Sequence, residues 1–151
     1  MPSSLQALEL EKFLPYRLSV LAQLVSEALH DLYAGPFSLT VTQWRVMAAL
    51  GRFAPLTASD MGKRIVMDKV AVSRAVSCLM KRSLVERVTD KADRRRASLR
   101  PSARGRAMHA RIVPMALGSE AKLYEALNAD ERQVFNTLSD RLFARAEALR
   151  L

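Results

Sequence analysis

The chain has 151 residues, of which half are apolar and 26% are charged, a composition typical of one globular domain with or without an appendage. Its single cysteine excludes an intrachain disulfide bond and any zinc site that needs two closely spaced cysteines. The first residues do not resemble a signal peptide and no stretch is apolar enough to span a membrane, so we expect a cytoplasmic protein without a membrane partner.

The excess positive charge is confined to one third of the chain. Between Thr57 and Arg106 there are 14 basic and five acidic residues, so this span carries the whole net charge of +9. A positive field confined to one surface is typical of a protein that binds a polyanion. A solvated basic face without such a partner is the alternative.

The predicted elements begin with a short helical segment over residues 5–13. A first helix starts at Pro15, since proline suits the first helical turn, and Gly35-Pro36 ends it. A capping box at Thr40–Gln43 opens a second helix that runs to Leu50. The apolar stripe of the first helix consists of Leu18, Leu21, Val25, Leu29 and Leu32.

A pair of helices with a tight connection follows. Thr57 is the expected N-cap of a short third helix, and Asp68 is the expected N-cap of a fourth helix that runs to about Arg82. The connection at Ile65–Met67 is short enough for a helix-turn-helix pair.

On a helical wheel, the fourth helix has one aliphatic face and an opposite face with short side chains and two cations. The aliphatic face consists of Val72, Ala75, Val76 and Leu79. The opposite face consists of Val70, Arg74, Ser77 and Lys81, with Ala71 and Ser73 at its flanks. Because nothing bulky stands on this second face, we expect it to approach the edges of DNA bases, where arginine bonds guanine and alanine or valine contacts a thymine methyl group.

A small hairpin is predicted next. The runs Val85–Thr89 and Ala97–Leu99 flank the charged loop Asp90–Arg96, whose four cations suit the enhanced negative potential of a narrow minor groove. Asp93 is expected to hold Arg95 by a bidentate ion pair, so that the loop is ordered before it binds. A flexible basic loop that makes only screened contacts is the alternative.

Two more helices are predicted after the hairpin. Ser102 caps a long helix that reaches Leu127 and is kinked at Pro114, and a capping box at Asn128–Glu131 opens the last helix. The outer helices carry more apolar side chains than the middle of the chain covers, so we expect a two-fold homodimer, with a self-contained helical bundle as the alternative. These side chains are Leu8, Leu10, Phe13, Leu14, Leu117, Leu123, Leu127, Phe135, Leu138, Leu142 and Leu149.

Several stretches resemble the MarR family of bacterial transcriptional regulators. They are Leu39–Met47, Met67–Arg74, Leu84–Arg87, Asp90–Arg95 and Ser102–Gly105. The resemblance implies a mainly α fold with a small β-hairpin wing. It further implies a winged helix-turn-helix DNA-binding domain over residues 37–102 and a helical dimerisation region formed by residues 1–36 and 103–151.

Two residues depart from the family pattern. Ser83 stands where the family usually has glycine after the fourth helix, which leaves the geometry of that turn open. Pro101 replaces an aliphatic residue at the end of the second wing strand, so we expect that strand to be short.

The resemblance also assigns roles at the DNA. In the family, the recognition helix enters the major groove of a pseudo-palindromic operator in double-stranded DNA, and an arginine of the wing enters the minor groove. The candidate DNA-binding residues here are Thr57, Lys69, Val70, Ala71, Ser73, Arg74, Ser77, Lys81, Asp93, Arg94 and Arg95.

A small effector is a further implication, since family members commonly bind an aromatic or phenolic anion. Leu14–Ser19 and Gln43–Arg45 are similar to segments of members linked to the catabolism of aromatic acids. An apolar wall, a carboxylate partner and a hydrogen bond are the contacts such a ligand needs. The candidate residues are Arg17, Ser19, His30, Trp44, Arg45 and Met47.

The sequence therefore predicts a DNA-binding regulator, most simply a repressor at the nucleoid that a small effector releases. A non-sequence-specific architectural DNA-binding protein, a thiol redox sensor acting through Cys78, and a module that binds an acidic protein are the alternatives. No enzyme, cofactor or metal site is expected, because His30 and His109 are isolated and no phosphate-binding loop occurs.

Overall fold

A computed structural model describes residues 8–89, 91 and 97–150 of the chain. Over these residues the chain forms six α-helices and a small antiparallel sheet. The elements are α1 (Leu14–Phe37), α2 (Val41–Phe53), β1 (Leu56–Thr57), α3 (Ala58–Ile65), α4 (Lys69–Lys81), β2 (Val85–Thr89), β3 (Ala97–Pro101), α5 (Ala103–Tyr124) and α6 (Ala129–Ala148). The described part of the predicted first segment is a single 3-10 turn, Leu10–Lys12. No helix in these ranges is both long enough and apolar enough to cross a bilayer.

The helix starts are those that the capping residues predict. The Thr40 hydroxyl oxygen accepts the Gln43 N–H at 3.2 Å, and the Gln43 side chain accepts the Thr40 N–H at 3.1 Å. Asn128 and Glu131 exchange the equivalent pair of hydrogen bonds at the start of α6. The Ser102 hydroxyl accepts the N–H of the third residue of α5 at 3.0 Å. These bonds satisfy backbone donors that a helix leaves without partners.

The end of α1 differs from its predicted position at Gly35-Pro36. The helix passes through Pro36 to Phe37 and ends at Ser38, whose φ of 51° is left-handed. Proline has a helical φ, so within the last turn it removes only one backbone hydrogen bond. The Leu39 N–H then donates to the Tyr33 carbonyl at 3.2 Å, which closes the helix and leaves Leu39 buried. In the same way α2 continues past the predicted Leu50 to Phe53.

The sheet has one more strand than the predicted hairpin, and its order is β1-β3-β2. β1 pairs with β3 through Leu56 and Leu99. No alternation pattern indicates this pairing, because β1 has only two residues and its partner is distant in sequence. The expectation of a short second wing strand is wrong, because β3 extends to Pro101, which lies opposite Val85. A proline is tolerated there because the end of a strand requires no further N–H donor.

The turn after α4 keeps the left-handed geometry that glycine favours, although Ser83 occupies it with a φ of 57°. The Leu84 N–H donates to the Leu79 carbonyl at 2.9 Å and closes the helix end. Just before this turn, Arg82 donates from Nη1 to the Ser38 carbonyl at 2.8 Å and from Nη2 to the Phe37 carbonyl at 2.7 Å. One guanidinium therefore joins the end of α4 to the end of α1.

The chain divides between Val113 and Pro114 into two compact units. The first unit has a continuous apolar core built from the end of α1, from α2, α3 and α4, from the sheet and from the start of α5. Its most completely buried side chains are Val46, Met47, Leu50, Met61, Val72, Leu79, Leu84 and Ile112.

The second unit consists of the rest of α5 and of α6. The Tyr124 hydroxyl is 3.0 Å from the Asn136 side-chain oxygen, and the Arg132 guanidinium lies 5.5 Å from the Tyr124 ring centroid. α6, all of which the structure describes, buries none of its side chains. α5 is helical through Pro114, and the kink expected there stays a prediction.

Candidate nucleic-acid interface

α3 and α4 are joined by a tight turn. α3 ends at Val66, whose φ of 52° is left-handed, and the Met67 N–H donates to the Gly62 carbonyl at 3.1 Å. Asp68 then caps α4 by accepting the Ala71 N–H at 2.9 Å. The turn therefore reverses the chain within three residues and gives the predicted helix-turn-helix pair.

The two faces of α4 are separated as the helical wheel predicts. The aliphatic face is buried, since the exposed fractions of Val72, Ala75, Val76 and Leu79 lie between 0% and 6%. The opposite face lies in solvent, with Val70 58% exposed. Exposed with it are Lys69, Ser73, Arg74, Ser77 and Lys81, whereas Ala71 is half-buried.

The exposed cations of this pair of helices are not neutralised by carboxylates within the described ranges. The ion pairs found there involve Lys12 and Arg100 instead. The cations concerned are Lys63, Arg64, Lys69, Arg74 and Lys81. Unpaired surface cations of this kind keep their charge available for an anionic partner.

Thr57 already has a structural task. Its hydroxyl oxygen accepts the Asp60 N–H at 3.1 Å and donates its one proton to the Asp60 carboxylate at 2.8 Å. Contact between this hydroxyl and a phosphate would therefore require the proton to leave Asp60, because a phosphate oxygen only accepts hydrogen bonds.

The wing strands are in register from Val85 opposite Pro101 to Thr89 opposite Ala97. Arg100 of β3 donates to the Glu86 carboxylate of β2 at 2.6 Å, an ion pair between directly opposed residues. The candidate residues of the wing tip, Asp93, Arg94 and Arg95, lie outside the described residues.

Two of the effector candidates line a shallow hollow on the surface of the first unit. Trp44 and Arg45 contribute to it from α2, and its volume is about 390 Å³. Arg17, Ser19 and His30 are exposed on α1 and do not line it. The side chain of Met47 is only 1% exposed and packs in the core.

The other lining residues of the hollow were not effector candidates from the sequence, and two of them bear on ligand binding. Phe53 of α2 is 44% exposed, and the Arg64 guanidinium of α3 lies 4.0 Å from its ring centroid. Because the two residues come from different helices, no periodicity within one helix indicates that they meet.

Trp44 is also the centre of an aromatic stack. Its ring centroid lies 6.0 Å from that of Tyr33 on α1 and 6.1 Å from that of His109 on α5, and both pairs are stacked. Burial raises the pKa of Tyr33, and the positive charge of Arg45 opposes that change. Burial also lowers the pKa of His109.

A helix-turn-helix followed by an antiparallel wing, with the aliphatic face of its second helix buried in one core, defines a winged helix DNA-binding protein. Residues 37–96 match the sequence model described as the MarR family. Over this winged-helix segment the chain is similar to MarR-family transcriptional regulators. No curated protein matches it significantly in sequence.

Solved structures with the same fold cover nearly the whole chain. The PcaV transcriptional regulator from Streptomyces coelicolor, solved in complex with its natural ligand, is 26% identical with a TM-score of 0.79, over 93% of this chain and 98% of that one. A MarR/EmrR family regulator from Acinetobacter sp. ADP1 has a TM-score of 0.86 at 19% identity, over 93% and 99% of the two chains.

Bordetella bronchiseptica BpsR, whose DNA binding is regulated by 6-hydroxynicotinic acid, has a TM-score of 0.79 at 23% identity, over 90% of this chain and 96% of that one. At these identities, the likeness to the Acinetobacter and Bordetella proteins describes the fold.

Proposed function

We propose that the protein is a homodimeric repressor that binds a pseudo-palindromic operator at the nucleoid and is released by a small aromatic or phenolic anion. The observation that carries this proposal is the exposed face of α4, where Val70, Arg74 and Ser77 project opposite a fully buried face. A major groove about 12 Å wide accommodates such a helix.

In this proposal each residue of the face has a role that its chemistry allows. Arg74 donates to O6 and N7 of a guanine, and Ser73 bonds a base or a phosphate. Val70 and Ala71 contact thymine methyl groups, and Lys69 and Lys81 contact phosphates without reading sequence. Arg94 and Arg95 of the wing contact the adjacent minor groove, with Asp93 holding Arg95 in place.

Apolar exposure supports the homodimer. Phe135, Leu138 and Leu142 of α6 are between 47% and 49% exposed, and several apolar residues of α1 are similarly open. We propose that residues 1–36 and 103–151 cover these side chains by pairing with a second copy, while residues 37–102 bind DNA. A two-fold axis would then present two copies of α4 to two half-sites of the operator.

The hollow beside Trp44 supports the proposal that a small effector binds. It offers an indole face, an exposed Phe53 and two guanidinium groups, those of Arg45 and Arg64. A volume of about 390 Å³ lies within the range of small-molecule sites and suits a ligand with one aromatic ring. PcaV with its natural ligand and BpsR with 6-hydroxynicotinic acid are precedents in the same fold.

Substitution on α4 tests the DNA contact. We expect Arg74→Ala to weaken operator binding by about 1–3 kcal/mol and to relax the base preference at one step. Arg141→Ala, which removes an equal charge from an exposed position on α6, is the matched control and should leave binding unchanged. A footprint on the chain's own promoter and titrations against base-substituted duplexes measure both effects.

The alternatives predict different results in the same titrations. Equal affinity for the promoter and for random duplex would identify an architectural DNA-binding protein. No binding to any DNA at low salt would favour a module for an acidic protein partner. Release of DNA by peroxide, abolished in Cys78→Ser, would favour a redox sensor, for which the half-buried Cys78 is the only thiol.

A further inference from the structure

The first unit contains a second and larger concavity, a cleft of about 540 Å³ between the end of α2, the sheet and the start of α5. It does not overlap the hollow, since the two share no lining residue. Its volume is in the middle of the range for small-molecule sites. None of its lining residues was a candidate from the sequence.

Three guanidinium groups line this cleft, those of Arg52, Arg100 and Arg106. Arg100 is paired with Glu86, whereas Arg106 donates from Nη1 to a neutral acceptor, the Pro101 carbonyl, at 3.1 Å. Arg52 lies 5.7 Å from the ring centroid of Phe53. Among the described residues, no carboxylate lines the cleft, so two of its cations are available for an anion.

The rest of the wall is apolar or aromatic. Pro55 and Val88 contribute apolar surface, and His109 also lines the cleft. His109 packs directly against Gly51, where an added Cβ would overlap the imidazole ring. This contact holds the ring in place, and burial lowers the pKa of His109, which favours the neutral imidazole.

We propose that this cleft binds a small organic carboxylate, with the carboxylate held by Arg52 and Arg106 and the apolar body against Pro55 and Val88. Guanidinium groups match a carboxylate by forming two parallel hydrogen bonds. The concave shape and the apolar wall suit a small molecule better than the backbone phosphates of a duplex, which bind to open, polar surfaces.

The proposed site has a direct connection to the rest of the molecule. His109 stacks on Trp44, and Trp44 lines the hollow on which the proposed effector site rests. A ligand that displaces His109 would therefore disturb one wall of the hollow. The site itself does not depend on operator binding and is measured on the free protein.

The chain has two histidines, which makes one NMR measurement specific. We would label histidine in the full-length protein and follow the two imidazole signals during titration with benzoate. His30→Gln assigns the signals. We expect a saturable shift of the His109 signal, with a smaller response to benzyl alcohol, which lacks the charge.

Matched substitutions locate the ligand. Arg52→Gln and Arg106→Gln should each weaken the His109 response about tenfold, the effect of losing one charged hydrogen-bond partner. Arg104→Gln removes the same charge from an exposed position of α5 outside the cleft and should keep the response, whereas Arg64→Gln removes it from the hollow and reports on binding there. Circular dichroism checks the fold, and Arg52→Gln remains informative if Arg106→Gln does not fold, because Arg52 makes no hydrogen bond among the described residues.

Several results would overturn the proposal. The His109 signal could stay unmoved by millimolar benzoate, or move equally in all four variants, which indicates ionic strength alone. Loss of the shift only in Arg64→Gln would place the ligand in the hollow. An equal response to inorganic phosphate, or competition between benzoate and random duplex, would assign the cleft to phosphate. All of these outcomes are separate from the operator titrations, so the repressor proposal stands or fails independently.

Discussion

The amphipathic helices α4 and α6 differ in how far their apolar faces are buried. α4 buries Val72 and Leu79 almost completely, whereas α6 leaves Phe135 and Leu138 about half exposed although its apolar residues also recur at helical spacing. Apolar residues at helical spacing therefore predict a face that must be covered, but they do not say by which chain. In α4 the covering partner is in the same chain, and in α6 we propose that it is in a second copy.

The same substitution made in the first unit, which contains α4, and in the second, which contains α6, gives the largest expected contrast. A Cβ at Gly105 would overlap the carbonyl oxygen of Leu84, whereas a Cβ at Gly118 meets nothing within 4 Å. We expect Gly105→Ala to lower the free energy of unfolding by about 3 kcal/mol, because backbone must move. Gly118→Ala should raise it by about 0.5–1 kcal/mol, the helical advantage of alanine. Urea denaturation measures both, and a strong loss at Gly118 would mean that another surface packs closely against that position.

A charge in the exposed stripe of α6 tests the second half of the comparison. We expect Leu138→Glu to weaken self-association about hundredfold, since a two-fold interface loses the buried leucine twice and buries two charges. Gln133→Glu adds the same charge at an exposed polar position of α6 and should have little effect. Sedimentation equilibrium measures the dissociation constant of the dimer for both variants. Unchanged association of the Leu138 variant would exclude this stripe from the interface.

A smaller effect is expected at the end of α4. Ser83 holds a left-handed backbone conformation that strains any residue with a Cβ. Ser83→Gly should therefore stabilise the first unit by about 0.5–1 kcal/mol, and Ser83→Ala should give no such gain. Chemical denaturation of both variants checks the difference. Equal stabilities would show that the turn carries no strain.

The smallest expected effect depends on pH. Burial lowers the pKa of His109, so its folded value lies below the unfolded value of about 6.5. Folding then favours the neutral ring, and the stability of the wild type relative to His109→Gln is fully present above about pH 6.5 and falls as the pH drops below it. Denaturation of both proteins on either side of that pH measures the change. A difference that grows on acidification would contradict the burial of this ring.

The features that the sequence predicted well are local. The caps at Thr40, Asp68 and Asn128 close within four residues, and the faces of α4 follow from helical period alone. β1 and the far end of β3 were missed or shortened because their pairing joins distant residues, which no local pattern records.

The two proposed ligand cavities were even harder to predict, because their lining residues come from different elements. Trp44 and Arg45 are neighbours in sequence and were predicted together, but Arg64 reaches them from another helix. Arg52, Arg106 and His109 share a cleft only because the start of α5 contacts the end of α2 at Gly51. Arginines scattered in a basic sequence do not reveal which of them converge.

The two hydrogen bonds of Arg82 have a mechanical consequence. They tie the last residues of α1 to the residue that follows α4, so that a rotation of α1 about its end would be passed on to α4. A flat guanidinium spans both carbonyls at once, while the rounder head of a lysine gives no such fork. A lysine at position 82 would hold at most one of the two carbonyls at a time, and the angle between α4 and α1 would be less firmly fixed.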